Sequence, residues 1–360
     1  MISNQILQNT LDGLKNIAGC DFCVLDVEGK EIATTGLVEI EAGAVADFAG
    51  SVADAQELQG CHYFKIYDEQ QLEYVLVCTG GEEAFTIGKM AAFQIQNLLV
   101  AYKERFDKDN FIKNLLLDNL LLVDIYSRAK KLHIQSDATR VVMILESESA
   151  AETNVLEMVR AYTGNSSCDF ITAVDENSVI IVKEMSAPDQ TKEIEKYAKG
   201  LEKYLSKEGV KGVRVAYGTP MGDIKEVSRS YKEAKMALEV GKIFFDERTI
   251  VPYSELGIGR LIYQLPIPLC KMYIREIFGK KSPDDFDEET LTTIYKFFEN
   301  SLNVSETSRQ LFVHRNTLVY RLDKLQKITG LDLRVFEDAI TFKIALMVVK
   351  YMKYMEKTDF

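Results

Sequence analysis

The sequence predicts an α+β chain of several domains, and three observations carry the prediction. The length of 360 residues exceeds what one hydrophobic core usually serves and points to two or three domains. Up to about residue 253, apolar runs with strand character alternate with runs of helical period, and beyond it the pattern is helical alone. Between Lys89 and Leu132 there is neither Gly nor Pro, so a long helical stretch separates two sheet-bearing regions.

Residues 2–18 begin the chain with Ile6, Leu7, Leu11, Leu14 and Ile17 on one helical face. FCVLDV and EIATTG follow as a hairpin over Glu28-Gly29. AVADFAGSVADAQEL reads as a helix, and HYFKIY with LEYVLVCTG as a second hairpin over DEQQ. The order helix–hairpin–helix–hairpin–helix over residues 1–88 suits a small sensor domain of the PAS or GAF type, an antiparallel sheet with helices on one side. A cleft between the hairpins would offer Thr34, Thr35, His62, Lys65, Tyr67 and Tyr74 to a small-molecule effector. Lys65 and His62 would suit a carboxylate, hence an organic acid. The plainer reading is that all six are ordinary strand residues on a solvated face.

Residues 89–134 form one long helix or two joined near FDKDN. Their stripe of Ile95, Leu98, Leu99, Tyr102, Phe106, Ile112, Leu115, Leu116, Leu120 and Val123 packs on the chain's own sheet or forms a seam between subunits. Its length favours the seam, and so a homodimer or higher oligomer.

From 138 to 253 the order is β-α-β-β-α-β with one further helix, a ferredoxin-like arrangement. The hairpin DFITAV/SVIIVKEM turns at DEN. The last helix, DIKEVSRSYKEAKMALEVGK, takes Asp223 as N-cap and Gly241 as its stop. Residues 254–300 read as helical, with breaks at Pro266, Pro268 and the acidic loop SPDDFDEE.

Basic residues number 43 against 55 acidic, a net charge of −12. Such a chain repels nucleic acid on average, so any contact with it must be local. Hydrophobic and charged contents of 47% and 27% are those of a soluble globular protein. The opening residues do not read as a signal peptide, and no apolar run approaches ~20 residues. A cytoplasmic protein without membrane association is expected. Cys20 and Cys23 have C-x-x-C spacing and His62 follows Cys61, which admits a metal or redox site. In a strand, however, residues three apart face opposite sides. Buried thiols in a reducing compartment, with no metal or cofactor, are the expectation.

The local contact is found in NVSETSRQLFVHRNTLVYRLDKLQK. Over 301–327 five basic residues stand against two acidic ones, a net +3. Ser305 serves as an N-cap, Val304 and Leu311 point inward, small Ser308 allows close approach, and Phe312 to His314 make the turn. Leu318, Leu322 and Leu325 form the buried stripe of a second helix. Arg315, Asn316, Thr317, Tyr320, Arg321 and Lys324 occupy its other face. This is a helix-turn-helix for double-stranded DNA. Arg315 and Asn316 suit base edges. Thr317, Tyr320, Arg321 and Lys324 suit the backbone, and Ser305 and Thr307 are further DNA-binding candidates. His314 suits the turn or a phosphate. A plain helical hairpin with a solvated face is the alternative.

The run HRNTL-x-YRL with TGLDL downstream, followed by FEDAITFKIAL, resembles the C-terminal helix-turn-helix of the PucR/CdaR family of bacterial regulators. SYKEAKMALEVGK and YSELGIGRLIY resemble the family's middle region, a degenerate GGDEF-like domain. The resemblance covers about 140–350, and Ser308 stands where the family usually has Ala. It implies a ligand-responsive transcription factor, while the effector does not carry over. Catalysis is not expected: the hairpin VDENSVIIV lacks the Gly-Gly turn of a GGDEF cyclase, and VVMILES offers only Glu146 where an aspartate is needed. Asp175 and Glu176 read as a polar turn. A scaffold without a DNA role would leave the basic face unexplained.

Overall fold

The computed structural model describes residues 2–36, 38, 40–41, 43–68, 70–148, 154–164, 168–175, 178–186, 190–279 and 286–358. They form two compact units, Met1–Ile112 and Lys113–Phe360.

The first unit is built from α1 (Asn4–Ala18), β1 (Asp21–Leu25), β2 (Glu31–Thr34), α2 (Ala44–Gly50), β3 (Ala55–Leu58), β4 (Cys61–Asp68), β5 (Gln71–Thr79) and α3 (Ala84–Leu116), whose last turn passes beyond it. The five strands lie in the order β2-β1-β5-β4-β3, every pair antiparallel. Alternation along β1 explains the two cores. Phe22 and Val24 face Leu7, Leu11, Ile95 and Leu99 of α1 and α3. Cys23 and Leu25 face Val45 and Phe48 of α2. Helices therefore cover both faces, where the sequence reading expected one. Cys20 belongs to the first core and Cys23 to the second, so the C-x-x-C pair does not converge.

The helix expected over AVADFAGSVADAQEL ends at Gly50. Ser51 turns extended, and Ala55–Leu58 pairs with β4 as an edge strand. The helix α3 runs unbroken through FDKDN and stops after Leu116. Asp118 then takes φ +57, and the Asn119 amide donates back to the Asn114 carbonyl at 2.9 Å. Its expected seam is divided. Ile95 and Leu99 are buried in the unit's own core, with Leu98 and Tyr102 packed against it. A different stripe, Met90, Phe93 and Val100, is exposed. The helix can press so close to the sheet because a Cβ at Gly88 would overlap the Phe64 ring.

The second unit opens with α4 (Leu122–Lys131), β6 (Arg140–Glu146), α5 (Val155–Thr163), β7 (Phe170–Thr172), β8 (Ser178–Glu184), α6 (Gln190–Lys207), β9 (Arg214–Tyr217), α7 (Val227–Phe244) and β10 (Ile250–Pro252). The order β10-β9-β6-β8-β7 puts the first and third strands of the β-α-β-β-α-β run at the centre, the ferredoxin-like arrangement. Val141, Met143 and Leu145 pack on α5 and α6. On the other face α7 is stitched to the sheet by Ser230, whose Oγ accepts from the Val142 amide at 3.0 Å and donates to the Thr219 carbonyl at 2.8 Å.

Two expected helix ends move. Asp223 caps a 3-10 turn, Ile224–Glu226, ahead of α7. Gly241 lies inside α7, where a Cβ would stand 2.9 Å from Val251 Cγ2. Its role is close packing rather than termination.

The remaining elements are α8 (Gly259–Ile262), α9 (Ile267–Phe278), α10 (Glu288–Glu299), α11 (Val304–Gln310), α12 (Arg315–Thr329) and α13 (Phe336–Thr358). Pro268, expected as a break, stands in the first turn of α9, where its missing N–H costs nothing. Of the acidic loop, residues 282–285 lie outside the described residues. Asp287 caps α10, its Oδ1 accepting from the Thr290 amide at 2.7 Å. The helix α13 belongs to two cores. Phe342 and Ala345 join Phe297, Leu318 and Leu322, while Val348 and Tyr351 join Ile243, Ile262 and Cys270. Lys350 pairs with Asp246 at 3.0 Å, and Tyr354 Oη donates to Glu239 Oε2 at 2.9 Å, tying α13 to the middle domain.

Candidate nucleic-acid interface

The pair α11 and α12 is held at its turn by backbone bonds. The Val313 amide donates to the Ser308 carbonyl at 3.0 Å and the Phe312 amide to the Arg309 carbonyl at 3.2 Å. This is a Schellman ending in which Phe312, at φ +55, fills the place usually given to glycine. Phe312 is also 96% exposed. A bulky residue in left-handed backbone with its ring in solvent costs stability twice over. Nothing in the sequence marks Phe312 as more than a turn residue, because its φ is set by the turn's tertiary frame.

His314 caps α12, its Nδ1 accepting from the Asn316 amide at 3.2 Å. Leu318, Leu322 and Leu325 are fully buried beneath it. The expected polar face divides into three groups. Arg315, Asn316, Thr317 and Tyr320 are exposed over the first two turns. Arg321 is held inside the domain, bonded to Thr293 Oγ1 at 3.1 Å and paired with Glu289 of α10. Lys324 stands 4.0 Å from Asp287. Hydrogen bonds from Thr290, then the charges of Lys324 and Arg321, hold the Asp287 carboxyl below its ordinary range. Lys327, exposed one turn further on, extends the basic face.

The first helix corrects two expectations. Asn303, not Ser305, is the N-cap, its Oδ1 accepting from the Glu306 amide at 3.0 Å. Ser305 is exposed in the first turn. Thr307 is fully buried with its hydroxyl spent on the Asn303 carbonyl, so it cannot meet a phosphate.

The six expected effector residues do not form one site. His62 stacks edge-on against Phe85 of α3, with ring centres 5.6 Å apart. Lys65 lies over Phe48 of α2 and donates to the Ser51 carbonyl at 2.5 Å. Being three apart on β4, they occupy opposite faces of the sheet and cannot share a carboxylate. Tyr74 is buried in the α1/α3 core. Tyr67 donates to Asp54 at 2.9 Å. The backbone of Thr34 is held by Gln8, and Thr35 Oγ1 accepts from the Phe22 amide. A cleft does exist in this unit, between α2, β3 and β4, and none of the six lines it.

In the middle domain, Glu146 at the end of β6 pairs with Lys242 at 2.8 Å, which also reaches Glu239 at 3.0 Å. Burial pulls the Lys242 ammonium down, but its bonds to Glu146 and Glu239 outweigh this and its pKa rises. Asp175 accepts from Ser178 Oγ at 2.6 Å, and Glu176 lies outside the described residues. The adjoining cavity of about 150 Å³ is half or less of the usual ~300–1,000 Å³ of a ligand pocket. Among the described residues no group of three or more His, Cys, Asp or Glu is placed to hold a metal, and no helix is long and apolar enough to cross a membrane.

Comparison with known proteins agrees with this division. Residues 119–240 match the GGDEF-like domain, and residues 290–348 match the PucR C-terminal helix-turn-helix domain. Over these two segments the chain is similar to regulators of the PucR/CdaR family. Neither matched segment includes the first unit. The chain is similar to the Carbohydrate diacid regulator of Escherichia coli (strain K12), 26% identical over 233 residues, covering 61% of this chain and 60% of the relative. It is also similar to two proteins of Bacillus subtilis (strain 168). The DNA-binding transcriptional activator AdeR is 27% identical over 178 residues, 46% of this chain and 40% of the relative. The Purine catabolism regulatory protein is 30% identical over 122 residues, 34% of this chain and 23% of the relative. The chain thus spans 60% or less of the length of each of these three relatives.

Proposed function

We propose that this chain is a cytoplasmic, sequence-specific DNA-binding transcriptional regulator of the PucR/CdaR family whose DNA affinity answers to a small molecule. The observation that carries the reading is the first two turns of α12. Arg315, Asn316, Thr317 and Tyr320 project into solvent from a helix whose opposite face is locked into a leucine core. Arg315 and Asn316 have the donor and acceptor geometry for guanine and adenine edges. Thr317 and Tyr320 suit phosphates, and Arg321 and Lys324 keep the helix seated on α10 while adding positive potential. The names of the three relatives, all regulators or activators, support the same reading. The first unit, a PAS/GAF-like sheet with helices, is the sensing module. The middle domain is a structural spacer without catalytic work, its acidic centre occupied by Lys242.

The test is DNA binding by the purified full chain at fixed salt, on its own upstream region and on a scrambled control. We expect Arg315→Ala to cost about 1–3 kcal/mol at the cognate site and to relax discrimination there. An unchanged ratio between cognate and scrambled DNA would sink the assignment of Arg315, and absence of any site preference would favour a scaffold.

Two copies act together in this proposal. Met90, Phe93 and Val100, spaced by three and seven, form an exposed apolar stripe of the kind helices bury against each other. Half-sites would then lie roughly one helical turn, ~34 Å, or a multiple apart. Phe93→Glu is expected to convert the dimer to monomer in sedimentation without lowering the melting temperature. An unchanged sedimentation coefficient would assign the seam elsewhere.

A further inference from the structure

The cleft on the α2 face of the first unit has a volume of about 460 Å³, within the range of small-molecule sites. Its walls come from α2, β3 and the start of β4, and its chemistry is one-sided. The floor is aromatic: Phe48 and Tyr63 are buried with ring centres 5.7 Å apart and planes tilted by 56°. The rim carries two carboxylates, Glu41 and Asp47, both exposed. Gln56 and Gln59 add amides, and Gln59 Nε2 donates to Glu41 Oε2 at 2.7 Å, which holds that carboxylate in place. No Lys, Arg or His is among the described residues lining the cleft. The surroundings already hold one cation. The buried Lys65 ammonium lies 5.4 Å from the Phe48 ring centre and is turned to the Ser51 carbonyl, so it is committed to the protein.

We infer that this cleft binds a small organic cation, an amine or guanidine carried on a flat or aliphatic body. The buried rings of Phe48 and Tyr63 give the cleft an apolar floor, and Glu41 and Asp47 supply the charge that pairs with the cation at the mouth. An organic acid, the ligand expected from His62 and Lys65, would instead meet two like charges at the entrance. The inference names the effector chemistry of the sensing module and rests on the proposal that the first unit senses a small molecule.

The experiment uses the full chain and four probes: agmatine and phenethylamine as cations, succinate and 3-phenylpropionate as their anionic counterparts. Titration calorimetry is expected to show single-site binding of a cation and none of the anions. Glu41→Gln with Asp47→Asn should weaken the cation roughly tenfold or more. Both residues are exposed, so the melting temperature without probe should not move, and Glu41→Gln alone provides a milder variant of the same sign. Binding of either anion, equal cation affinity in the double variant, or no heat from either cation would each overturn the inference. Affinity for the upstream DNA is measured on the same preparation. DNA binding without cation binding overturns the cation site and leaves the regulator standing. Cation binding that leaves DNA affinity unchanged keeps the site and removes the sensing role from this unit.

Discussion

Two charged clusters in the second unit are treated in opposite ways. At Glu146, Lys242 and Glu239 the charges are half-buried and spent on one another. On the first two turns of α12, Arg315 and its neighbours stand in solvent with their hydrogen-bonding capacity open. Ionic groups that neutralise each other hold a fold together, and their loss is felt as stability. Groups left open on a rigid platform cost the fold little and are felt as binding. The middle domain uses its charges as a clamp, while the C-terminal domain leaves its own exposed to solvent.

The largest expected effect breaks the clamp. Lys242→Met leaves Glu146 and Glu239 facing each other and should cost about 2–4 kcal/mol of stability, with intrinsic DNA contacts intact. The pH dependence identifies the cause. The folded pKa of Lys242 lies above its ordinary 10.5, so as pH rises the unfolded chain loses this proton first. The stabilisation is complete below about 10.5 and fades above it through the raised folded value. Chemical denaturation across that range should show this fading in the native chain and not in the variant. Equal alkaline loss in both would refute the clamp.

An intermediate case sharpens the contrast. Arg321 is on the basic face yet bonded to Thr293 and Glu289. Arg321→Ala should lower stability by about 1 kcal/mol and weaken all DNA sequences alike, without changing their ranking. A change in ranking would make Arg321 a base-reading residue.

The smallest effect has opposite signs in the two measurements. Phe312→Gly removes the left-handed penalty and should raise stability by up to about 1 kcal/mol. If the exposed ring serves the DNA, the same variant should bind it more weakly. A variant that is more stable and binds equally well would show that Phe312 has no role at the interface.

The helix-turn-helix could be read from the chain because its information is local. Three leucines, two caps and six polar residues lie within about 25 consecutive positions, and helical periodicity sorts them without knowledge of anything distant. Even there, Asn303 and Ser305 compete for the cap, and only backbone geometry decides between them. The β-α-β-β-α-β order was equally readable. The failures arise where a non-local choice intervenes. His62 and Lys65 differ by three positions, and the parity of a strand sends them to opposite faces. The stripe on α3 carries apolar residues on two sides, and which one the sheet takes depends on where α3 docks. Glu41, Asp47, Gln56 and Tyr63 come from separate elements, and no motif announces that they meet. Gly241 looked like a helix end because the approach of Val251 belongs to a different strand.

The shared helix α13 has a consequence for cooperativity. Its first half completes the core under α12 and its second half completes the core against α7. Twenty-three residues of one helix span about 34 Å, so neither end can melt without withdrawing support from the other. The helix-turn-helix domain and the clamp domain are therefore parts of one folding unit. A fragment ending at Val348, the last residue of the matched helix-turn-helix segment, would lose Tyr351 and Tyr354 and with them the anchor that sets the direction in which Arg315 points.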